Sequence, residues 1–225
     1  NDDDRAILDK MMQDPVLETI KSSTGFYEQL YRFQCMCWHS FINQDFLLHY
    51  RYSQKWVDLY EANENMKGIE AAQYIKGLHN LISAFFDLRN LTKFKDAIAA
   101  LENFSQEPIV LNNKNNQIQC FVYIYIAKIN QHFLEGSFSE GLNMIPSMEE
   151  QLQEIEPFID SHRVLVFYYK IACLYFGAGE PAKAIDYLNK IINWKLNLRD
   201  DLQCYARLLH LIAHFELGNM EVVNY

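Results

Sequence analysis

Apolar residues recur three and four positions apart along most of this chain, with polar residues between them, which predicts a succession of amphipathic helices. The clearest case runs from Tyr168 to Ile192. Tyr168, Ile171, Ala172 and Tyr175 share one helical face. Gly177 and Gly179 end that helix, because glycine enters the left-handed conformation at a helix C-terminus at little cost. Pro181 opens the next, where a missing N–H is no loss. Ala184, Ile185, Leu188, Ile191 and Ile192 form its apolar face. The stretch is therefore a hairpin of two antiparallel helices, and the small Ala172 and Ala184 let their backbones approach.

The rest of the chain reads the same way. Residues 1–25 hold short helices, over about 4–13 and from Asp14-Pro15 to the Ser22–Thr24 loop. Phe26–Ile42, with Phe26, Leu30, Cys37 and Phe41 at core spacing, turns through Asn43-Gln44-Asp45 into Phe46–Ala62, with Phe46, Tyr50, Trp56, Val57 and Tyr60. Residues 26–66 thus form an aromatic hairpin suited to cap a stack. A long helix over 67–90 follows, with a possible break at Gly77, and then a partner over 94–104. Residues 105–116, with Pro108 and an asparagine tract, read as the longest loop. Helices over 117–135, apolar nearly all round, and 138–156 come next, and a helix over 200–217 follows the hairpin. No sustained alternation of period two predicts a strand, and the apolar run Phe121–Ile126 goes to helix with its neighbours.

The hairpin signature repeats. Gly136-Ser-Phe138 leading to Gly141 and Ile145 matches Gly179-Glu-Pro181 leading to Ala184 and Leu188. A third copy places Ala97 and Leu101 in the same roles, with Thr92 at the turn, and a fourth begins at Gly218 and reaches Val223. The small position steps from 97 to 141, 184 and 223, by 44, 43 and 39 residues. A period of this size in an all-helical chain predicts stacked hairpins.

Tyr168, Ile171, Ala172, Tyr175, Gly179, Ala184 and Leu188 resemble the tetratricopeptide repeat family in type and order. The resemblance covers about 78–225, best in one unit, and the units exceed the family's usual length of about 34 residues. HEAT-like hairpins share the period and are the alternative. The resemblance implies an all-α, right-handed solenoid of αα-hairpin repeats over 67–225, the last incomplete. It also implies a concave groove lined by the first helix of each unit. Tyr169, Cys173 and Phe176 would face that groove from one unit, and Ile126, Asn130 and Phe133 from the one before. Such a groove is apolar and aromatic, and a protein or peptide segment is its expected ligand.

Composition narrows the function classes. The net charge is −9 and no basic stripe is present, which argues against nucleic acid and anionic membranes. No run approaches the roughly 18 apolar residues of a spanning helix. Cys35, Cys37, Cys120, Cys173 and Cys204 are odd in number and irregular in spacing, which points to buried, reduced thiols and a cytoplasmic setting.

Candidate chemistry is sparse. His210 and His214 stand four apart on one helix, a spacing that can hold a metal, but Leu211 follows where a metalloprotease has glutamate, and no third ligand offers itself. Cys35, Cys37 and His39 diverge around a helix. Glu149, Glu150, Glu154 and Glu156 read as a solvated face. The expectation is a non-enzyme without cofactor or metal. The chain stops one turn into the last hairpin's second helix, so the 200–217 helix is expected to expose Leu208, Leu209, Leu211, Ile212 and Phe215. A partner, further chain or a second copy could cover that face, the last making a homodimer.

Overall fold

The computed structural model describes residues 25–194 and 199–223, together with Ile7, Asp9, Lys10, Met12, Gln13 and Pro15. The short helices expected over 1–25 lie largely outside the described residues. Among those described, the chain is helical and contains no strand. It divides into two compact units, 1–119 and 120–225.

The first unit holds α1 (Phe26–Ile42), α2 (Phe46–Glu61), the short α3 (Glu64–Ile69), α4 (Ala71–Asp87), α5 (Leu91–Ser105) and the short α6 (Pro108–Leu111). Helix α2 packs against both α1 and α4, and α4 packs against α5. Trp56, Tyr60, Ile75, Leu78, Phe94 and Leu101 are its buried centre. The boundary between the units falls within α7 (Lys114–Glu135). The second unit continues with α8 (Phe138–Gly141), a 3-10 turn (Leu142–Met144), α9 (Ile145–Ile155), α10 (Ser161–Gly177), α11 (Pro181–Ile192), α12 (Asp200–Glu216) and α13 (Met220–Val223). Here α10 packs on α11 and α12, and α11 packs on α12. Its centre includes Ile129, Ile145, Met148, Leu165, Phe167 and Ile171.

Five turns share one geometry. Gln44, Arg89, Gly136, Gly179 and Gly218 have φ between 53° and 80°, the left-handed region. The residue after each donates its N–H to the carbonyl five positions back: Asp45 to Ser40, Asn90 to Phe85, Ser137 to His132, Glu180 to Tyr175, and Asn219 to His214, all at 2.9–3.1 Å. This is the Schellman closure of a helix C-terminus. The next helix starts at the following residue each time: Phe46, Leu91, Phe138, Pro181 and Met220. Asp45 and Asn90 cap their helices by accepting from the Leu48 and Lys93 amides. The five turn residues stand 45, 47, 43 and 39 positions apart.

Several sequence expectations change. The turn before α5 is at Arg89, not Thr92, so the residue equivalent to Ala184 is Phe94, which is fully buried, and Ala97 lies one helical turn later. The difference arises because an arginine occupies the position where the three later turns carry glycine. The long 67–90 helix breaks at Glu70 rather than Gly77. Gly77 is buried inside α4, where a Cβ would come within 3.0 Å of the Trp56 ring, so it is there for close packing. The 105–116 loop contains α6 and the start of α7. In α1 the buried stripe is Leu30, Gln34, Cys37 and Ser40, while Phe41 is exposed; Phe46 is exposed in α2, where His49 and Ser53 are buried. Ser40 Oγ donates to its own helix at Met36 and Cys37, and Cys37 Sγ lies 3.2 Å from Ser53 Oγ. Small, internally satisfied side chains thus let α1 and α2 meet closely.

Candidate binding face

Counted back from each turn residue, the third position is phenylalanine in all five hairpins: Phe41, Phe86, Phe133, Phe176 and Phe215. Its carbonyl accepts the turn residue's N–H in four of them, at Phe41, Phe86, Phe176 and Phe215. The third, sixth and tenth positions back are Phe133, Asn130 and Ile126 in α7, and Phe176, Cys173 and Tyr169 in α10. In α12 they are Phe215, Ile212 and Leu208. The expected groove residues on α7 and α10 therefore share a register with much of the expected partner face on α12.

The six residues on α7 and α10 are all half-buried. On α12 the stripe opens to solvent: Leu208 and Phe215 are each 56% exposed and Ile212 40%, joined by Tyr205 at 59%. Leu211 is exposed on its flank and Leu209 is half-buried, so Leu209 leaves that stripe. Tyr205 lies near enough to Tyr169 to raise its pKa, which links α10 and α12 on this side.

Lysine enters this aromatic surface unannounced by the sequence pattern. Lys170 follows Tyr169 and precedes Cys173 by one turn, and its Nζ donates to Asn130 Oδ1 at 2.6 Å. The same Nζ lies 5.5 Å from the centre of the Phe133 ring. Burial pulls the Lys170 ammonium below its usual range, partly opposed by Cys173. Burial also raises the Cys173 thiol, against the pull of Tyr169 and Lys170. The Tyr169 phenol is pushed up to about 12, by burial first and then by Cys173 and Tyr205. Each shift favours the neutral form, as expected of groups set in an apolar surface. A raised thiol pKa also makes Cys173 a poor nucleophile near neutrality.

The remaining candidates fall elsewhere. The His210 and His214 rings meet edge to face with centres 4.5 Å apart, and the Asn219 amide nitrogen lies 3.1 Å from His214 Nδ1. Burial, then the neighbouring His214, lowers the His210 pKa. Among the described residues no group of three His, Cys, Asp or Glu side chains could hold a metal. Cys37 and Cys120 are buried and Cys173 half-buried, but Cys35 and Cys204 are exposed, which corrects the expectation of buried thiols throughout. Glu149 also leaves the solvated face assigned to it: it accepts from Tyr187 Oη at 2.8 Å and pairs with Lys190 at 3.9 Å. The Lys190 ammonium stands over Tyr187 and Tyr168 in the same cluster. No described helix is long and apolar enough to cross a membrane.

Comparison of the chain with protein-family models, with curated proteins and with solved structures finds no match.

Proposed function

We propose that this chain is a non-catalytic binding module, a tetratricopeptide-like right-handed solenoid of helical hairpins that holds a protein or peptide segment on an apolar, aromatic face. The observation that carries this reading is the shared register. Five turns of one geometry recur at 39–47 residues, and Phe133, Tyr169, Cys173 and Phe176 stand at the same positions before their turns as the exposed Leu208, Ile212 and Phe215 of α12 do before theirs. Binding draws on burial of that surface, at about 25 cal/mol per Å² before the costs of association. The cytoplasm suits it, because the exposed thiols of Cys35 and Cys204 stay reduced there.

The test is partner capture from source-cell extract by the chain and by its Tyr169→Ala/Phe176→Ala variant, with helical circular dichroism confirming the fold of each. A partner held by the first and lost by the second supports the face. Capture that survives both substitutions rejects it.

A second reading has α12 as a self-association surface, favoured by the exposure of Leu208, Ile212 and Phe215. Phe215→Glu would then convert a dimer into a monomer in sedimentation. A chain that is already monomeric before substitution rejects that reading.

A further inference from the structure

We propose that Lys170 anchors an acidic side chain of an otherwise apolar peptide segment, a partner chemistry that rests on the binding-face reading above. The geometry points to a carboxylate. The ammonium is held between two helices, hydrogen-bonded to Asn130 Oδ1 at 2.6 Å and set over the Phe133 ring. An ammonium has three N–H donors, and a neutral amide oxygen takes one. The chain carries 29 acidic residues, yet among the described residues none forms an ion pair with Lys170. Other lysines do pair: Lys190 with Glu149, and Lys67 with Glu61. Lys170 is instead half-buried beside Phe133 and Cys173, with no counter-ion among the described residues. A desolvated cation in such a place gains more from an arriving carboxylate than an exposed lysine does, because water screens the pair less.

The surroundings say where the carboxylate belongs in the ligand. Apolar positions lie on both sides of Lys170, at Ile126 and Phe133 on α7 and along the α12 stripe. A segment that follows this surface places apolar side chains before and after the acidic one. The acid is therefore an internal Asp or Glu side chain rather than a free anion or a chain terminus. The apolar flanks supply affinity and the single charge fixes register, since a misplaced apolar residue would leave the cation covered and unpaired.

Three peptides test this by titration against the full chain. The first is acetyl-Leu-Phe-Glu-Phe-Leu-amide, the second has Gln for Glu, and the third keeps Gln but has a free C-terminal carboxylate. The expected result is binding of the Glu peptide at least tenfold tighter than either Gln peptide. Lys170→Met should remove that preference and Lys170→Arg should keep it, with unchanged circular dichroism. A Glu preference that persists in Lys170→Met overturns the assignment. Tighter binding of the peptide with the free terminus overturns the internal-side-chain reading. Equal binding of all three, lost in Tyr169→Ala, rejects the anchor and keeps the face. Binding of none rejects both.

Discussion

His49 shows how one buried side chain sets the response of the first unit to acid. It is 1% exposed, packs against the Phe41 ring, and neither of its ring nitrogens makes a hydrogen bond of ordinary geometry. Burial lowers its pKa, and the neighbouring Asn80 amide offsets only part of that effect. The unfolded chain takes up a proton at this ring below pH about 6.5, and the folded unit resists it. Stability is therefore full above that pH and falls as pH drops through it. Urea midpoints at pH 7.5 and 5.5 should differ more for the native chain than for His49→Leu; equal differences would show that the folded chain protonates His49 as readily as the unfolded one. Gly77 acts at the same scale through volume. Alanine there gains up to about 1 kcal/mol of helix propensity. Its Cβ would meet the Trp56 ring at 3.0 Å, and Trp56 is fully buried with little room to move. Overpacking of this kind costs about 1–3 kcal/mol. Gly77→Ala should thus be destabilising, by about 1 kcal/mol in chemical denaturation, and a more stable variant would show that Trp56 yields freely.

At the scale of the element, one device recurs five times among the described residues, a Schellman-closed helix followed at once by the next helix. Three of the turns carry glycine and two carry Gln44 and Arg89, which hold a left-handed conformation that costs a non-glycine residue about 1–2 kcal/mol. Arg89→Gly should therefore stabilise the chain, by about 0.5–1 kcal/mol after glycine's greater unfolded-state entropy is counted. Gly179→Ala, at φ 80°, should destabilise it by about 1 kcal/mol or more. Urea denaturation reads both, and a destabilised Arg89→Gly would mean that the arginine side chain contributes more than its backbone strain removes. The same device explains what was legible. Hairpins closed by glycine were readable, because Gly136, Gly179 and Gly218 mark their turns in the sequence. The boundaries of α1 and α2 were also readable, through the capping Asp45 and the apolar periodicity around it. The turn at Arg89 was not, since nothing in an arginine announces positive φ. Its loss shifted the register of that hairpin by three residues. The inner faces of α1 and α2 misled for a related reason: Gln34, Ser40, His49 and Ser53 lie inside, and Phe41 and Phe46 lie outside. Polarity misassigns a face when close helix approach, rather than apolar area, decides what is buried.

Across the whole molecule, the candidate face was partly legible. The positions on α7 and α10 follow from the turn glycines, and they are half-buried together. Lys170 was missed because its helical spacing marks only a position, while its hydrogen bond to Asn130 forms between residues 40 apart. The stripe on α12 is legible as an uncovered apolar face; counted from the turn residues, Leu208, Ile212 and Phe215 hold the same positions as Tyr169, Cys173 and Phe176. In the proposed binding module these residues form one face for another molecule. The most direct measurement is photo-crosslinking in the source cell, with a benzophenone amino acid placed singly at positions 176, 215 and 154, the last an exposed site on α9. Adducts to the same foreign polypeptide are expected from 176 and 215 and none from 154. Adducts from 215 to a second copy of this chain, or equal labelling from all three positions, would contradict it.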